Sequence, residues 1–147
     1  PGAQRAASKA AVRAEKDAPT VAELFDEFLK DRQGRKKPST VAEYTRLLGV
    51  TEVLRGSNKG SERIGELRKA LGRKKVEAVT IRDIAAIHDS MIKRPYQANR
   101  ALAILTAAFN FAESRGLRTK HTNPCEGVEA YPEHPKERYL TDDELTR

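Results

Sequence analysis

A single cysteine in 147 residues, Cys125, excludes an internal disulfide and fits a reducing compartment. No stretch approaches the ~20 consecutive apolar residues that a membrane span needs. The amino terminus is rich in alanine, but Arg5, Lys9 and Arg13 break it before any apolar run forms, so it does not read as a signal peptide. Metal-ligand clusters are also missing: His121 and Cys125 lie four apart on a proline-containing loop, and two such ligands make no site. No metal or cofactor is expected, and the chain reads as a soluble cytoplasmic domain. Hydrophobic residues are sparse at 38%, whereas charged residues reach 33%. That balance describes a small core wrapped in charged helices. A chain of this length still buries roughly 70% of its unfolded surface and needs no staple.

Acidic charge is the scarcer sign. Lys and Arg outnumber Asp and Glu 28 to 21, a net charge of +7, which favours polyanionic partners such as DNA or RNA. Charge alone leaves an ordinary solvated surface equally open.

Periodicity supplies the fold class. Residues 1–18 show no apolar stripe and read as a linker. From Thr20, the positions Val21, Leu24, Phe25, Phe28 and Leu29 follow one face of a helix, opened by a Thr20–Glu23 capping box and closed by Gly34. A second box, Thr40 with Glu43, is expected to open the next helix, with Val41, Tyr44, Leu47, Leu48 and Leu54 inward. Ile64, Leu67 and Leu71 repeat a helical stripe that Gly72 closes. Thr80 and Asp83 start a further helix, its inner side Ile84, Ile87 or His88, and Met91. Pro95 suits the first turn of the longest helix, residues 95–115, whose stripe is Ala98, Leu102, Leu105, Phe109 and Ala112. Gly116 stops it. Turn-formers then dominate (Asn123, Pro124, Gly127, Pro132, Pro135), until Thr141 and Glu144 form a last capping box. No strand alternation is evident, so the class is all-α.

The order of these segments resembles the core-binding domain of phage-integrase-type tyrosine recombinases. Thr20 to Leu24, then Pro38, Ser39, Thr40, Val41 and Tyr44, are similar to its opening helices. Asn99 to Leu102 and Phe109 to Ala112 resemble its last long helix. Asn123 to Val128 resemble the exit from that domain, and Arg138 to Leu145 the approach to the catalytic domain. Residues 49–71 are longer than the family's usual connection. The resemblance implies a SAM-like bundle of four to five helices over residues 19–130, with 131–147 leading into a catalytic domain. It implies double-stranded DNA as partner, no membrane, a monomeric fragment and a parent that assembles as a tetramer on DNA. The family's nucleophilic tyrosine and its arginine, histidine and lysine partners follow that approach. Here His88, His121 and His134 are followed three residues later by Met91, Pro124 and Glu137, so no His-x-x-Arg pair exists. Tyr44, Tyr96, Tyr131 and Tyr139 lie outside any such context, and no catalysis is expected of this fragment.

The same resemblance points to contact surfaces. At 100° per residue, Tyr96, Asn99, Arg100, Ala103, Ala107 and Asn110 lie opposite the apolar stripe of the long helix. Small alanines there allow close approach, and Lys93, Arg94 and Gln97 flank a helix start suited to phosphate. A second candidate is Lys36, Lys37, Ser39, Thr40, Tyr44 and Arg46 at the opening of the second helix. Arg73, Lys74 and Lys75 form a compact basic link, and Arg115, Arg118 and Lys120 sit where the chain leaves the domain. Each set also reads as a solvated surface, and Arg115 as a complement to a helix dipole. A stand-alone helix-turn-helix regulator lacks support, since no short glycine turn joins two helices at that spacing. A helical protein-interaction module stays open, distinguished by the absence of salt-sensitive DNA binding.

Overall fold

The computed structural model describes residues 8–10, 13, 16–53, 56–57 and 59–133. The first long helix, α1, spans Val21–Gln33, and its capping box forms as expected. The Glu23 N–H donates to the Thr20 hydroxyl at 3.3 Å, and the Thr20 N–H donates to the Glu23 carboxylate at 3.1 Å. All five positions of its apolar stripe are buried.

Helix α2, Pro38–Leu48, corrects one expectation. Its N-cap is Lys37, without a side-chain cap, so Thr40 and Glu43 lie inside the helix and form no capping box. Proline supplies the reason: with φ preset and no N–H to satisfy, Pro38 takes the first helical position and starts the helix earlier. Leu47 and Leu48 are buried, while Val41 and Tyr44 are half-buried, Tyr44 stacking on Phe28 at 5.6 Å.

A second correction follows directly. Strands β1, Val50–Glu52, and β2, Glu62–Ile64, pair antiparallel with Val50 opposite Ile64. Three-residue strands are too short to display an alternating pattern, and both are largely exposed. Ile64 therefore belongs to no helical stripe. Helix α3, Glu66–Leu71, begins after it and buries Leu67 and Leu71. Gly65 joins the two because a Cβ there would overlap the Leu47 carbonyl; its N–H donates to Gly49 O at 2.9 Å.

A 3-10 turn at Val76–Ala78 leads to α4, Ile81–Ser90, opened by the expected Thr80–Asp83 box and burying Ile84 and His88. Helix α5, Pro95–Ser114, starts on Pro95 as expected and buries all of its proposed stripe together with Ala101, Ile104, Ala108 and Phe111. Gly116, at φ 72°, ends it, and the Leu117 N–H donates back to Ala112 O at 2.9 Å. Helices α2, α3 and α5 pack on α1, and α4 packs on α5. One apolar core results. The chain beyond α5 folds back over it: Asn123 is buried and bonds Thr106 O and Asn110 Oδ1, and Cys125 is buried beside it. Leu54 and the Thr141–Glu144 box lie outside the described residues, as does most of the segment read as an N-terminal linker.

Candidate nucleic-acid interface

Every turn of α5 sends one or two side chains away from the core. Tyr96, Arg100, Ala103 and Asn110 are exposed, with Ala107 half-buried, so this stripe remains open along the helix. At its start, Arg94 is the N-cap but caps nothing with its side chain. Its guanidinium donates instead to Gln97 Oε1 at 3.1 Å and Glu66 Oε1 at 2.9 Å. Arg100 forks onto both carboxylate oxygens of Glu43 on α2, with Nη2 to Oε2 at 2.6 Å. That bond holds the Glu43 carboxyl below the usual carboxylate range and raises Arg100 above its own.

A cavity of about 560 Å³ lies between the two helices, with Glu43, Arg46, Tyr96, Gln97, Arg100 and Ala103 in its wall. Carboxylates answer cations here. Glu43, Glu66 and Glu133 line the same space as Arg46 and Arg100. Exposed Lys93 precedes α5 at its start, whereas exposed Lys36 and Lys37 follow Arg35 between the end of α1 and the start of α2, with Ser39 exposed and Thr40 half-buried after them.

Asn99 borders the same cavity but is occupied within the fold. Its amide engages the backbone of Tyr131 and the Nε2 of His88, pinning the returning chain to α4 and α5. The Arg73–Lys75 link is apart from this face. Lys74 O accepts from the Val21 N–H, which puts the link at the start of α1, about 20 Å of helix from Lys36 and Lys37. Lys74 pairs with Asp83 at 2.8 Å, and Lys75 holds the carbonyls of Lys16 and Ala18 at 3.0 and 2.8 Å, leaving Arg73 exposed. Arg118, expected at a DNA-facing exit, is buried. It donates to Val76 O and, at 3.1 Å, to Thr122 O, beneath a Phe109 ring 5.7 Å away.

The sequence reading missed one convergence. Arg32, Arg35 and Arg115 gather on Asp31, at 3.7, 3.3 and 3.3 Å, where the ends of α1 and α5 meet. The Asp31–Arg35 spacing of one helical turn was readable; the arrival of Arg115 from 84 residues away was not.

Among the described residues, no three His, Cys, Asp or Glu side chains are placed to hold a metal ion, and no helix is long and apolar enough to cross a membrane. No protein-family model and no curated protein matches the chain. A solved structure does: the solution NMR structure of a domain from a protein of Nitrosospira multiformis, provisionally named a phage integrase. The two share 26% identity at a TM-score of 0.53, over 86% of this chain and 99% of that one. This chain is similar in fold and sequence to that phage integrase domain. Within that integrase-related fold, the helical bundle matches the architecture the sequence implied, with the β1–β2 hairpin added on the α2–α3 connection.

Proposed function

We propose that this domain binds double-stranded DNA and positions an integrase-type tyrosine recombinase on its recombination core site. The open face of α5, set beside the basic opening of α2 in an integrase-related domain, carries the proposal. Ala103 and Ala107 leave room for a close surface, while Arg100, Lys36, Lys37 and Lys93 offer cations at its edges. Contacts of this kind go mainly to phosphate and fix register, whereas any base reading falls to side chains on the open stripe. Strand exchange through a phosphotyrosine would reside in the catalytic part of the parent, assembled as a tetramer on DNA, with this domain monomeric alone and cytoplasmic. Asn99, which ties the returning chain to α5, and Lys74 and Lys75, on a link at the start of α1, are assigned to scaffolding in this reading.

Titrating a labelled duplex of mixed sequence at several salt concentrations tests it. Affinity is expected to fall by about 0.9 log units per log unit of salt for each phosphate contacted. Lys36→Ala with Lys37→Ala should weaken binding while leaving the helical signal intact. Absence of binding at low salt, or binding indifferent to salt, would overturn the proposal in favour of a protein-interaction module.

A further inference from the structure

The far end of α5 differs electrostatically from its start. Around Arg100 the cations are matched by Glu43, Glu66 and Glu133, whereas at the other end three guanidiniums share one carboxylate. Two positive charges are left in excess. The ends of α1 and α5 converge here, and each helix C-terminus contributes about half a negative charge, so roughly one positive charge survives the dipoles. Neutralising those dipoles therefore does not account for the whole cluster. Glu27 and Lys30, in the adjoining wall, cancel each other.

The cluster is also held in place. Arg32 lies 4.8 Å over the Phe28 ring and Arg115 5.1 Å over Phe111, while the Asp31 side chain is only 14% exposed. Arg35 and Arg115 remain 66% and 54% exposed, so donors of both forks face solvent. Ala107, Asn110 and Ser114 of the open α5 stripe line the cavity of about 610 Å³ in front of them. Ala103 borders the first cavity and Ala107 this one, a single turn apart, so the two cavities follow each other along one helix face. Arg100 and Arg115 are separated by about 22 Å of helix, too far to share one phosphate.

We propose that Arg32, Arg35 and Arg115, gathered on Asp31, form a second phosphate seat next to Lys36 and Lys37, so that nucleic-acid backbone is engaged at the far end of α5 as well as at its start by Lys93. This inference rests on the DNA-binding reading above and adds a site to it. Asp31 acts as the positioning residue: it draws the three side chains together and leaves them under-neutralised.

The test measures affinity of the full chain for a labelled mixed-sequence duplex against salt. Arg35→Ala with Arg115→Ala should weaken binding and lower the salt slope by about one, the contribution of one phosphate. Asp31→Asn, which keeps an acceptor oxygen to hold the guanidiniums but removes the charge that offsets them, should do the opposite, tightening binding at low salt. A cluster that serves only to join the ends of α1 and α5 would weaken binding, or leave it unchanged, in both variants. Arg35→Gln alone, at an exposed position, repeats the slope measurement if the double variant loses helical signal. An unchanged slope in a wild-type-like fold, or weaker binding by Asp31→Asn, overturns the second seat, while a slope lowered by Lys36→Ala with Lys37→Ala or by Lys93→Ala in the same assay keeps the DNA-binding reading. Failure of the unmodified chain to bind at low salt overturns both.

Discussion

The side-chain amide of Asn99 holds both peptide groups of Tyr131, Nδ2 donating to the carbonyl at 2.7 Å and Oδ1 accepting from the N–H at 2.8 Å. An asparagine on α5 thus stands in for a neighbouring strand and fixes where the returning chain crosses the bundle. The His88 ring stacks on Tyr131 at 4.1 Å, and the Tyr131 hydroxyl donates to His88 O at 3.1 Å, closing the loop to α4.

Asn99→Ala is therefore expected to act on stability. Losing the amide strands two partly buried peptide groups, a cost of about 1–3 kcal/mol. Chemical denaturation should show the loss, with the salt slope of DNA binding unchanged. A slope lowered by one without any loss of stability would return Asn99 to the DNA-contacting set.

The Glu43–Arg100 pair predicts a pH signature. A carboxyl whose folded pKa lies below its unfolded one adds stability that is present above the unfolded pKa and lost as pH falls through the folded value. Following the Glu43 carboxyl by NMR should give a midpoint below the usual carboxylate range, and Arg100→Ala should restore it. Because Arg100 is 66% exposed, the pair contributes only about 0–1 kcal/mol. Melting should hardly move in that variant while DNA affinity falls.

Leu105 tests the core beneath the same helix. It is 1% exposed, and truncation to alanine is expected to cost about 2–5 kcal/mol through the cavity left behind. The denaturation midpoint reports this directly; a cost below that range would mean that the neighbouring side chains collapse into the space.

Cys125 should be inert in the folded protein. Burial pushes its thiol up to about 12, so little thiolate exists near neutral pH. A thiol reagent should label it only as fast as the protein opens, and in full under denaturant. Rapid labelling of the native chain would contradict its buried position.

Local chemistry was legible from residues close in sequence. The Thr20–Glu23 and Thr80–Asp83 boxes, the Pro95 start and the Gly116 stop each depend on neighbours within a turn or two, and each formed as read. Thr40 with Glu43 has the same spacing but failed, because Pro38 had already opened the helix and Glu43 was drawn to Arg100, 57 residues on. The β1–β2 hairpin was illegible for another reason: two exposed three-residue strands need no apolar alternation.

By itself, the sequence determined most of the helical stretches, their apolar faces and that cations exceed anions, since all three follow from residue type and periodicity. Tertiary structure alone decided which cations are neutralised. Arg94 finds Glu66, Arg100 finds Glu43 and Arg118 is drawn into the core, while Arg115 joins Arg32 and Arg35 around a single carboxylate. Those pairings span from 28 to 84 residues. Coulombic and hydrogen-bond energies depend on distance through space, so the position of an uncompensated charge is fixed only once the helices have packed.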